Sequence, residues 1–377
     1  MNEAHVEKKQ IIVSAGLHDR NWYPVNCDLG AGWETCRLIN QDDGREVPCQ
    51  AEGGRLFWII ENLAAGQKRT FLASRAAASD FPKVDIVKKD GALDIKLGGQ
   101  LFSTYHFSRS VVRPFLNPVM GPAGVSVVRE LFEKPNPPDH DHLHHRGLLT
   151  AHGAVNGMDN WSEDANHGFI RHEGFEQLVS GAVFGKIVAR NSWVSPTDAR
   201  LLGETRTMIF YNQLPARIID FEISFTADAG KVVLGDTKEG GLIAIRVATT
   251  MRADRLGRFE NAYGAINQNE CWGKRSPWCD YSGPVGGGRT GIAIFDKLSN
   301  PWYPAHWHIR DYGLMAVNPF ALSRYSRGKA DGTCAIEAGQ QLSFGFRVYI
   351  HDGDTKEGRV ADAFNNYVNP AQVEVVP

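Results

Sequence analysis

Several common features are missing from this sequence, and each absence excludes a class of protein. The six cysteines among 377 residues form no C-x-x-C pair, which argues against a disulfide scaffold and against a cysteine zinc site. No apolar run approaches the roughly 18 residues that a membrane-spanning helix needs. The polar N-terminus, MNEAHVEKKQ, lacks the apolar stretch of a signal peptide, so we expect a cytoplasmic protein with reduced thiols.

An excess of charge of either sign is also missing. The chain has 41 Lys and Arg residues against 43 Asp and Glu residues, and both signs are interspersed. We therefore expect neither a nucleic-acid surface nor a membrane-binding patch. The motifs G-x-S-x-G and H-E-x-x-H and the P-loop are absent, which argues against serine hydrolases, zinc proteases and NTPases. The glycine run at 286–288 lies between predicted strands, where a turn is favoured over a nucleotide site.

The chain consists mostly of strand-length segments. ARIIDFEISFTA alternates apolar and polar residues and places four apolar side chains on one face, namely Ile219, Phe221, Ile223 and Phe225. The best helix candidate is EGRVADAFNNYVN, at 357–369. These patterns predict a mainly β protein, with a large antiparallel two-sheet β-sandwich over residues 86–377 and a small N-terminal β domain over residues 1–85.

The densest group of chemically active residues is the histidine-rich segment, residues 140–172. It contains seven of the thirteen histidines, namely His140, His142, His144, His145, His152, His167 and His172. Imidazole titrates near neutral pH and is the commonest metal ligand in proteins. We therefore expect the chemistry to centre on this segment, with at least one of His144, His145 or His152 functional.

The start of the histidine-rich segment also allows a metal site. On an extended loop, His140, His142 and His144 would share one face, and this spacing can place imidazoles around one ion. Asp139 and Asp141 would add oxygen ligands. The alternative is that these are solvated loop histidines, or that they bind sugar hydroxyls.

The segment DTKEGG, at 236–241, leads into a predicted strand. Asp236, Lys238 and Glu239 would supply a base, a cation and a ligand anchor there. The two glycines would let the backbone approach a ligand closely. An ordinary turn is the alternative.

The segment WGKRSPWCDYSG, at 272–283, combines aromatic and charged residues. Trp272, with Lys274 and Arg275 beside it, would suit a polyhydroxylated ring, because CH faces pack on aromatic rings and hydroxyls need directional partners. A buried tryptophan at the edge of a sandwich is the alternative.

The segment NPWYPAHWHIRDYGLMAVNPF, at 300–320, repeats polar residues at strand spacing. His306, His308 and Arg310 fall in the same phase, and Asn318 follows. Two histidines with an arginine in one phase favour a functional face over a structural role.

Taken together, these motifs resemble a bacterial family that carries the label methane oxygenase PmoA. The resemblance lies in HLHHRGLLTAHGAVNGMDNW, DTKEGGLIAIRV, WGKRSPWCDYSG and WHIRDYGLMAVNPF, and it covers roughly residues 90–352. It implies a β-sandwich like that of galactose mutarotase and a role in bacterial sugar catabolism. The label names a membrane protein, which a chain without a membrane span does not match.

The resemblance and the residues together predict acid/base chemistry on a sugar or keto-glycoside, by elimination, hydrolysis or epimerisation. The catalytic candidates are His145 or His152 as one partner and Asp236, Glu239 or His308 as the other. The substrate-binding candidates are His144, Arg146, Trp161, Lys238, Trp272, Lys274, Arg275, His306, Arg310 and Asn318. Of these, Arg310 and Lys238 would neutralise developing negative charge, and the two tryptophans would stack on the sugar ring.

The expected partner is a small carbohydrate, and no cofactor is required by this scheme. Two alternatives stay open. A non-catalytic carbohydrate-binding protein would need the aromatic residues but no proton-transfer groups. A metal-dependent oxygenase would need iron or copper at His140, His142 and His144.

Overall fold

The computed structural model describes residues 7–132, 139–213 and 215–376. The chain begins with β1 (Lys8–Ser14), β2 (Arg20–Asp28), β3 (Arg37–Asn40), β4 (Glu46–Val47), β5 (Cys49–Glu52), β6 (Arg55–Leu63) and β7 (Lys68–Ser74). Next come β8 (Val84–Lys89), β9 (Ala92–Leu97), β10 (Gln100–His106), β11 (Phe115–Val119), β12 (Leu148–His152), β13 (Phe169–Val179), β14 (Phe184–Val194), β15 (Arg200–Tyr211) and β16 (Arg217–Thr226).

The C-terminal half continues with strands, three short α-helices and a 3₁₀ helix at Thr249–Met251. These are β17 (Val232–Leu234), β18 (Gly240–Arg246), β19 (Arg258–Asn261), α1 (Asn267–Cys271), β20 (Trp278–Val285), β21 (Gly288–Asp296), β22 (Trp307–Arg310), β23 (Leu314–Val317), α2 (Leu322–Tyr325), β24 (Cys334–Ile336), β25 (Gln341–Asp352), α3 (Val360–Val368) and β26 (Gln372–Val376). The prediction of a mainly β chain is confirmed.

Two eight-stranded antiparallel sheets form the large β-sandwich. The first large sheet has the order β22-β23-β18-β12-β11-β10-β9-β8, and the second large sheet has the order β13-β14-β15-β16-β25-β21-β20-β19. Buried apolar side chains from both sheets fill the space between them, as expected of two stacked sheets. The predicted large antiparallel sandwich is therefore confirmed.

Two smaller sheets form the N-terminal domain. Their orders are β26-β1-β7-β3-β4 and β2-β6-β5, and the core between them buries Trp33 and Trp58. The last strand, β26, pairs with β1, and its Val373 and Val375 pack against this core. Residues 372–376 therefore belong with the N-terminal strands and lie outside the sandwich predicted over 86–377.

The local sequence patterns have the expected structures. Strand β16 buries its four alternating apolar residues, and α3 packs Phe364 and Tyr367 against Phe295. The glycines at 286 and 287 form the turn of the β20–β21 hairpin, so the interpretation of this run as a turn is confirmed.

The cysteines behave as packed apolar groups. None of the six forms a disulfide, and five of them are buried. Burial raises the pKa of Cys27 to about 12, which keeps this thiol protonated and unreactive. Within the three described ranges, no helix combines the length and apolar character that crossing a membrane requires.

The first large sheet has a second apolar surface on the side away from the sandwich core, which we call the outer face. Strand pairing aligns one row across it, made of Leu149, Ala244, Ala316 and His308. The next row is made of Arg246, Leu314 and Arg310. Because side chains alternate along a strand, the neighbouring Ile245 and Met315 point into the sandwich core instead.

Candidate functional site

Small side chains form the floor of the candidate site on the outer face. Ala151, Ala244 and Ala316 are buried there with Trp161, in a cluster separate from the sandwich core. Because alanine side chains end at Cβ, Trp161 and Tyr312 can pack closely on this part of the sheet. The histidine-rich segment stands on one side of the floor, and β22 with the turn at 236–239 stands on the other.

A buried arginine anchors the histidine-rich segment to the outer face. Arg113 donates to the backbone carbonyls of His144 at 3.1 Å and of Trp161 at 2.8 Å. Glu163 accepts two hydrogen bonds from Arg146, at 2.9 and 2.5 Å. These contacts tie the segment down at several points, so its imidazoles are held in place before any ligand binds.

His145 is held as a neutral imidazole of defined tautomer. It is 4 % exposed, and burial, together with the charges of His144 and Arg246, holds the pKa of His145 well below its ordinary value. Arg246 donates a guanidinium N–H to Nδ1 over 3.2 Å, so the ring proton resides on Nε2. Nε2 makes no hydrogen bond to any residue in the described ranges, and it is therefore available to a ligand.

Asp141 organises the charged groups behind His145. Its carboxylate accepts from Arg129 at 2.7 Å and from Arg246 at 2.5 Å, and it bonds to Nδ1 of His142 at 2.8 Å. Burial acts to raise the pKa of Asp141, but the bond to His142 and the charge of Arg246 outweigh it and hold this pKa well below its usual range. Asp141 is thus ionised and committed to structural contacts, which leaves it no role as an oxygen ligand.

His308, on the opposite side of the floor, has the same arrangement. It is 2 % exposed, and the indole Nε1–H of Trp272 donates to its Nδ1 over 3.0 Å. Burial, with the charges of Arg310 and Lys238, lowers the pKa of His308 to about 3. The ring is therefore neutral at physiological pH with its proton on Nε2, and this nitrogen has no hydrogen-bond partner in the part of the chain that the structure describes.

Tyr312 connects the two sides of the site. The guanidinium of Arg246 lies 4.7 Å from the centre of its ring, and that of Arg310 lies 5.4 Å away. His142 stacks on the same ring with centroids 4.9 Å apart. Cations over an aromatic face are attracted by its electron density, so Tyr312 helps to hold both arginines on the outer face.

The turn before β18 adds one carboxylate and one ammonium group. Lys238 and Glu239 form an ion pair with each other, and their side chains are 40 % and 45 % exposed. The backbone carbonyl of Glu239 accepts from the N–H of Gly153 at 2.7 Å. Burial raises the pKa of Tyr312, and the negative charge of Glu239 adds to this rise, against the charges of Arg310 and Arg246. The Glu239 carboxylate therefore lies within electrostatic reach of the centre of the site.

The two predicted stacking tryptophans have different settings. Trp161 is buried, and the rings of His145 and His144 cover it with centroids 5.2 and 6.1 Å away. Trp272 is half-buried and meets Tyr325 edge-on at 5.2 Å. Both tryptophans therefore contact histidines of the site. His144 is neutral at physiological pH, because burial and the charge of Arg113 lower its pKa to about 4.

Three other predicted site residues form hydrogen bonds at or near the turn that precedes β18. Nε2 of His152 bonds to the carbonyl of Gly235 at 3.0 Å. Asp236 accepts from the N–H and hydroxyl of Ser323, at 2.8 and 2.6 Å. Asn318 donates to two carbonyls of the turn at 236–239. These side chains shape the turn that carries Glu239.

Lys274, Arg275 and His306 lie at the rim. The first two are exposed, and Arg275 donates to the carbonyl of Trp302 at 2.9 Å. His306 stacks on Tyr325 at 5.3 Å, and burial with the charge of Arg275 lowers the pKa of His306 to about 4. Tyr325 therefore contacts both His306 and Trp272, the tryptophan that donates to His308.

The histidines proposed as metal ligands have other partners. His140 stacks on Phe132 with centroids 3.6 Å apart, and His142 is bonded to Asp141. The rings of His142 and His144 are 5.8 Å apart and inclined by 72°. Among residues 7–132, 139–213 and 215–376, no three His, Cys, Asp or Glu side chains are grouped to hold a metal ion.

Four residues of the site were missed by the sequence analysis, namely Arg113, Arg246, Tyr312 and Tyr325. One signal was present: Arg246 is a charged residue inside the apolar strand GLIAIRV, and charged residues are rarely fully buried unless paired. Arg113 and Tyr312 lie in turns, where their types are common. Their roles depend on contacts with distant residues.

Several solved structures are similar to this chain, at low sequence identity. No curated protein matches this chain. A glycosyl hydrolase family 38 protein from Enterococcus faecalis is similar over 98 % of this chain and 47 % of its own, at 8 % identity and a TM-score of 0.47. A GH36 α-galactosidase from Geobacillus stearothermophilus is similar over 72 % of this chain and 41 % of its own, at 12 % identity and a TM-score of 0.38.

A third solved structure is closer in size. A galactose mutarotase-like protein from Clostridium acetobutylicum is similar over 70 % of this chain and 92 % of its own, at 8 % identity and a TM-score of 0.28. By contrast, this chain spans less than half the length of the two glycoside hydrolases. A family model matches residues 92–365, which include the whole candidate site, and the chain therefore belongs to DUF6807, a family of unknown function.

Proposed function

We propose that this protein is a carbohydrate-active enzyme that removes a proton next to a carbonyl group of a sugar or keto-glycoside, leading to epimerisation or elimination. The observation that carries the proposal is the pair His145 and His308. Each is buried and neutral, each has Nδ1 occupied by a fixed donor, and each leaves its Nε2–H unused on the outer face.

This arrangement assigns the histidines a different role from the one predicted from sequence. A ring whose Nδ1 accepts a hydrogen bond, and whose Nε2 carries the proton, has no free lone pair with which to act as a base. A neutral imidazole can instead donate to an oxygen on which negative charge develops, without losing its proton. The charge of Arg310, next to His308, would strengthen this effect.

Glu239 is the best-placed base. Its carboxylate is half-exposed, and its partner Lys238 is also solvated, so the ion pair is weak and easily opened. The carboxylate would take the proton from carbon, and the electron pair of that C–H bond would move onto the carbonyl oxygen to give an enolate. The Nε2–H of His308 would donate to this oxygen.

The enolate has two outcomes. If its electron pair returns to carbon and takes a proton from water on the other face, the sugar is epimerised. If the pair forms a double bond to the next carbon while the C–O bond there breaks, the glycosidic oxygen leaves and takes a proton. The ammonium of Lys238 lies beside Glu239 and would supply that proton.

The test is hydrogen exchange at carbon. Aldoses and keto-glycosides are incubated with the enzyme in D2O, and loss of the C–H signal next to the carbonyl is followed by proton NMR. We expect exchange with at least one substrate, and a fall of about 10²–10⁴-fold in Glu239→Gln, the range for loss of a general base. Glu176→Gln, on β13 of the second large sheet, is the matched control. Exchange at the wild-type rate in Glu239→Gln would remove the assignment of the base.

A further inference from the structure

The outer face has an excess of hydrogen-bond donors. Several buried N–H groups there have no acceptor among the described residues, and three of them are Nε1 of Trp161 and the Nε atoms of Arg246 and Arg310. The Nε2–H groups of His145 and His308 are also unused. A buried donor without an acceptor costs free energy. The three fully buried donors are closed off from a ligand as the structure stands, whereas the two histidine Nε2–H groups keep some contact with solvent and can donate to acceptor oxygens of a ligand.

Arg310 differs in its pairing from the other cations of this donor-rich surface. Asp141 pairs with both Arg246 and Arg129, Glu163 pairs with both Arg146 and Arg113, and Lys238 pairs with Glu239. Arg310, in contrast, has no carboxylate within 4.0 Å in the residues that the structure describes. Its guanidinium lies over the ring of Tyr312, 5.4 Å from the centroid.

The position of Arg310 differs from that of a fully exposed surface arginine. The residue is half-buried and its Nε is buried. Arg310 is also aligned across the sheet with Leu314 and Arg246, next to the row that contains His308. A partly buried cation in a ligand site is stabilised by a ligand that brings the opposite charge.

From these observations we infer that the ligand is an acidic sugar, whose carboxylate binds Arg310. This rests on the proposed function and names its substrate class. A guanidinium presents paired N–H groups that match the two oxygens of a carboxylate. A carboxylate on the ligand would give Arg310 the partner that the described residues do not supply.

The experiment compares acidic and neutral sugars that are otherwise alike. Isothermal titration calorimetry measures D-glucuronate against D-glucose, and D-galacturonate against D-galactose, each also as its methyl glycoside. We expect the acidic member of at least one pair to bind at least tenfold more tightly to the wild-type protein. In Arg310→Gln its affinity falls to that of the neutral member, and Arg310→Lys, which keeps the charge, retains part of the preference.

Arg45→Gln, at an exposed position in the N-terminal domain, is the control and is expected to bind like the wild type. Circular dichroism and denaturation midpoints establish that each variant is folded. Equal binding of acidic and neutral sugars, unchanged in Arg310→Gln, overturns the carboxylate assignment and leaves the carbohydrate proposal standing. Failure of every sugar of both kinds to bind overturns both.

Discussion

The indole N–H of Trp272 donates to Nδ1 of His308 over 3.0 Å, and this bond fixes the tautomer of the histidine. With Nδ1 occupied and the pKa lowered to about 3 by burial and by Arg310 and Lys238, the ring is a neutral donor through Nε2. Arg246 imposes the same tautomer on His145. For each histidine, the donor bonded to Nδ1 therefore determines which ring nitrogen carries the proton.

Trp272→Phe tests this control of the tautomer. The substitution keeps an aromatic ring against Tyr325 but removes the N–H that holds His308. In the wild type we expect a single Nε2–H tautomer at pH 7 by ¹⁵N NMR of the histidine rings. In the variant both tautomers are expected, because the two neutral forms are close in energy without the donor. Trp302→Phe, at an exposed position, is the control, and an unchanged spectrum in Trp272→Phe would contradict the assignment.

Asp141→Asn tests the charged contacts behind His145. The change leaves Arg246 buried without its counter-charge, and breaking a buried ion pair costs about 3–5 kcal/mol. Because Asp141 is partly exposed, we expect the lower end, about 3 kcal/mol, in the free energy of unfolding measured with urea. Asp164→Asn, on the exposed part of the same segment, should change stability by less than about 0.5 kcal/mol. Similar values for both variants would mean that this ion pair contributes little.

Much of the fold could be predicted because its signals are local. Alternation in β16 and a helical period in α3 each depend on residues a few positions apart. The pairing of β26 with β1 could not be predicted in this way, because its two partners lie at opposite ends of the chain. Nothing within QVEVV itself specifies which sheet it joins.

The site shows the same division between local and distant information. Residue type was enough to find the segments that meet on the outer face, since His145, His308, Arg310 and Glu239 were all candidates. Residue type could not separate His308 from His152. Both histidines lie in or at the end of apolar strands. Trp272 bonds to Nδ1 of His308 and leaves its Nε2 free, whereas Nε2 of His152 bonds to the carbonyl of Gly235.

The buried neutral histidines predict a loss of stability in acid. Burial lowers the pKa of His152 to about 4 in the folded protein, while the unfolded chain has the ordinary value of about 6.5. Between these values the unfolded state binds more protons, so stability rises with pH, and this residue contributes about 3 kcal/mol of the rise from pH 4 to pH 7. Urea denaturation across this range should give a shallower pH dependence in His152→Gln than in the wild type. Parallel curves would show that His152 titrates normally in the folded protein.

His351 predicts the opposite dependence. Its Nε2 lies 3.1 Å from a carboxylate oxygen of Asp280, and its Nδ1 lies 3.0 Å from the carbonyl of Asp352, so both nitrogens face acceptors. Burial acts to lower the pKa of His351, but the Asp280 carboxylate outweighs it, and the pKa is raised above the ordinary value.

The folded state therefore holds this proton more tightly than the unfolded state. Its contribution to stability is complete below about pH 6.5 and is lost as pH rises through the folded pKa. We expect the urea midpoint of the wild type to decline above neutral pH. His351→Gln, which cannot take up the proton, should lose that part of the decline while being less stable at pH 6. The His351 ring packs directly against the backbone of Gly291 and Gly358, where an added Cβ would lie within 2.4 Å of the ring. This close packing holds the ring beside Asp280. A wild-type midpoint that stays constant between pH 6 and pH 9 would mean that the His351 ring is neutral and that Asp280 does not hold its proton.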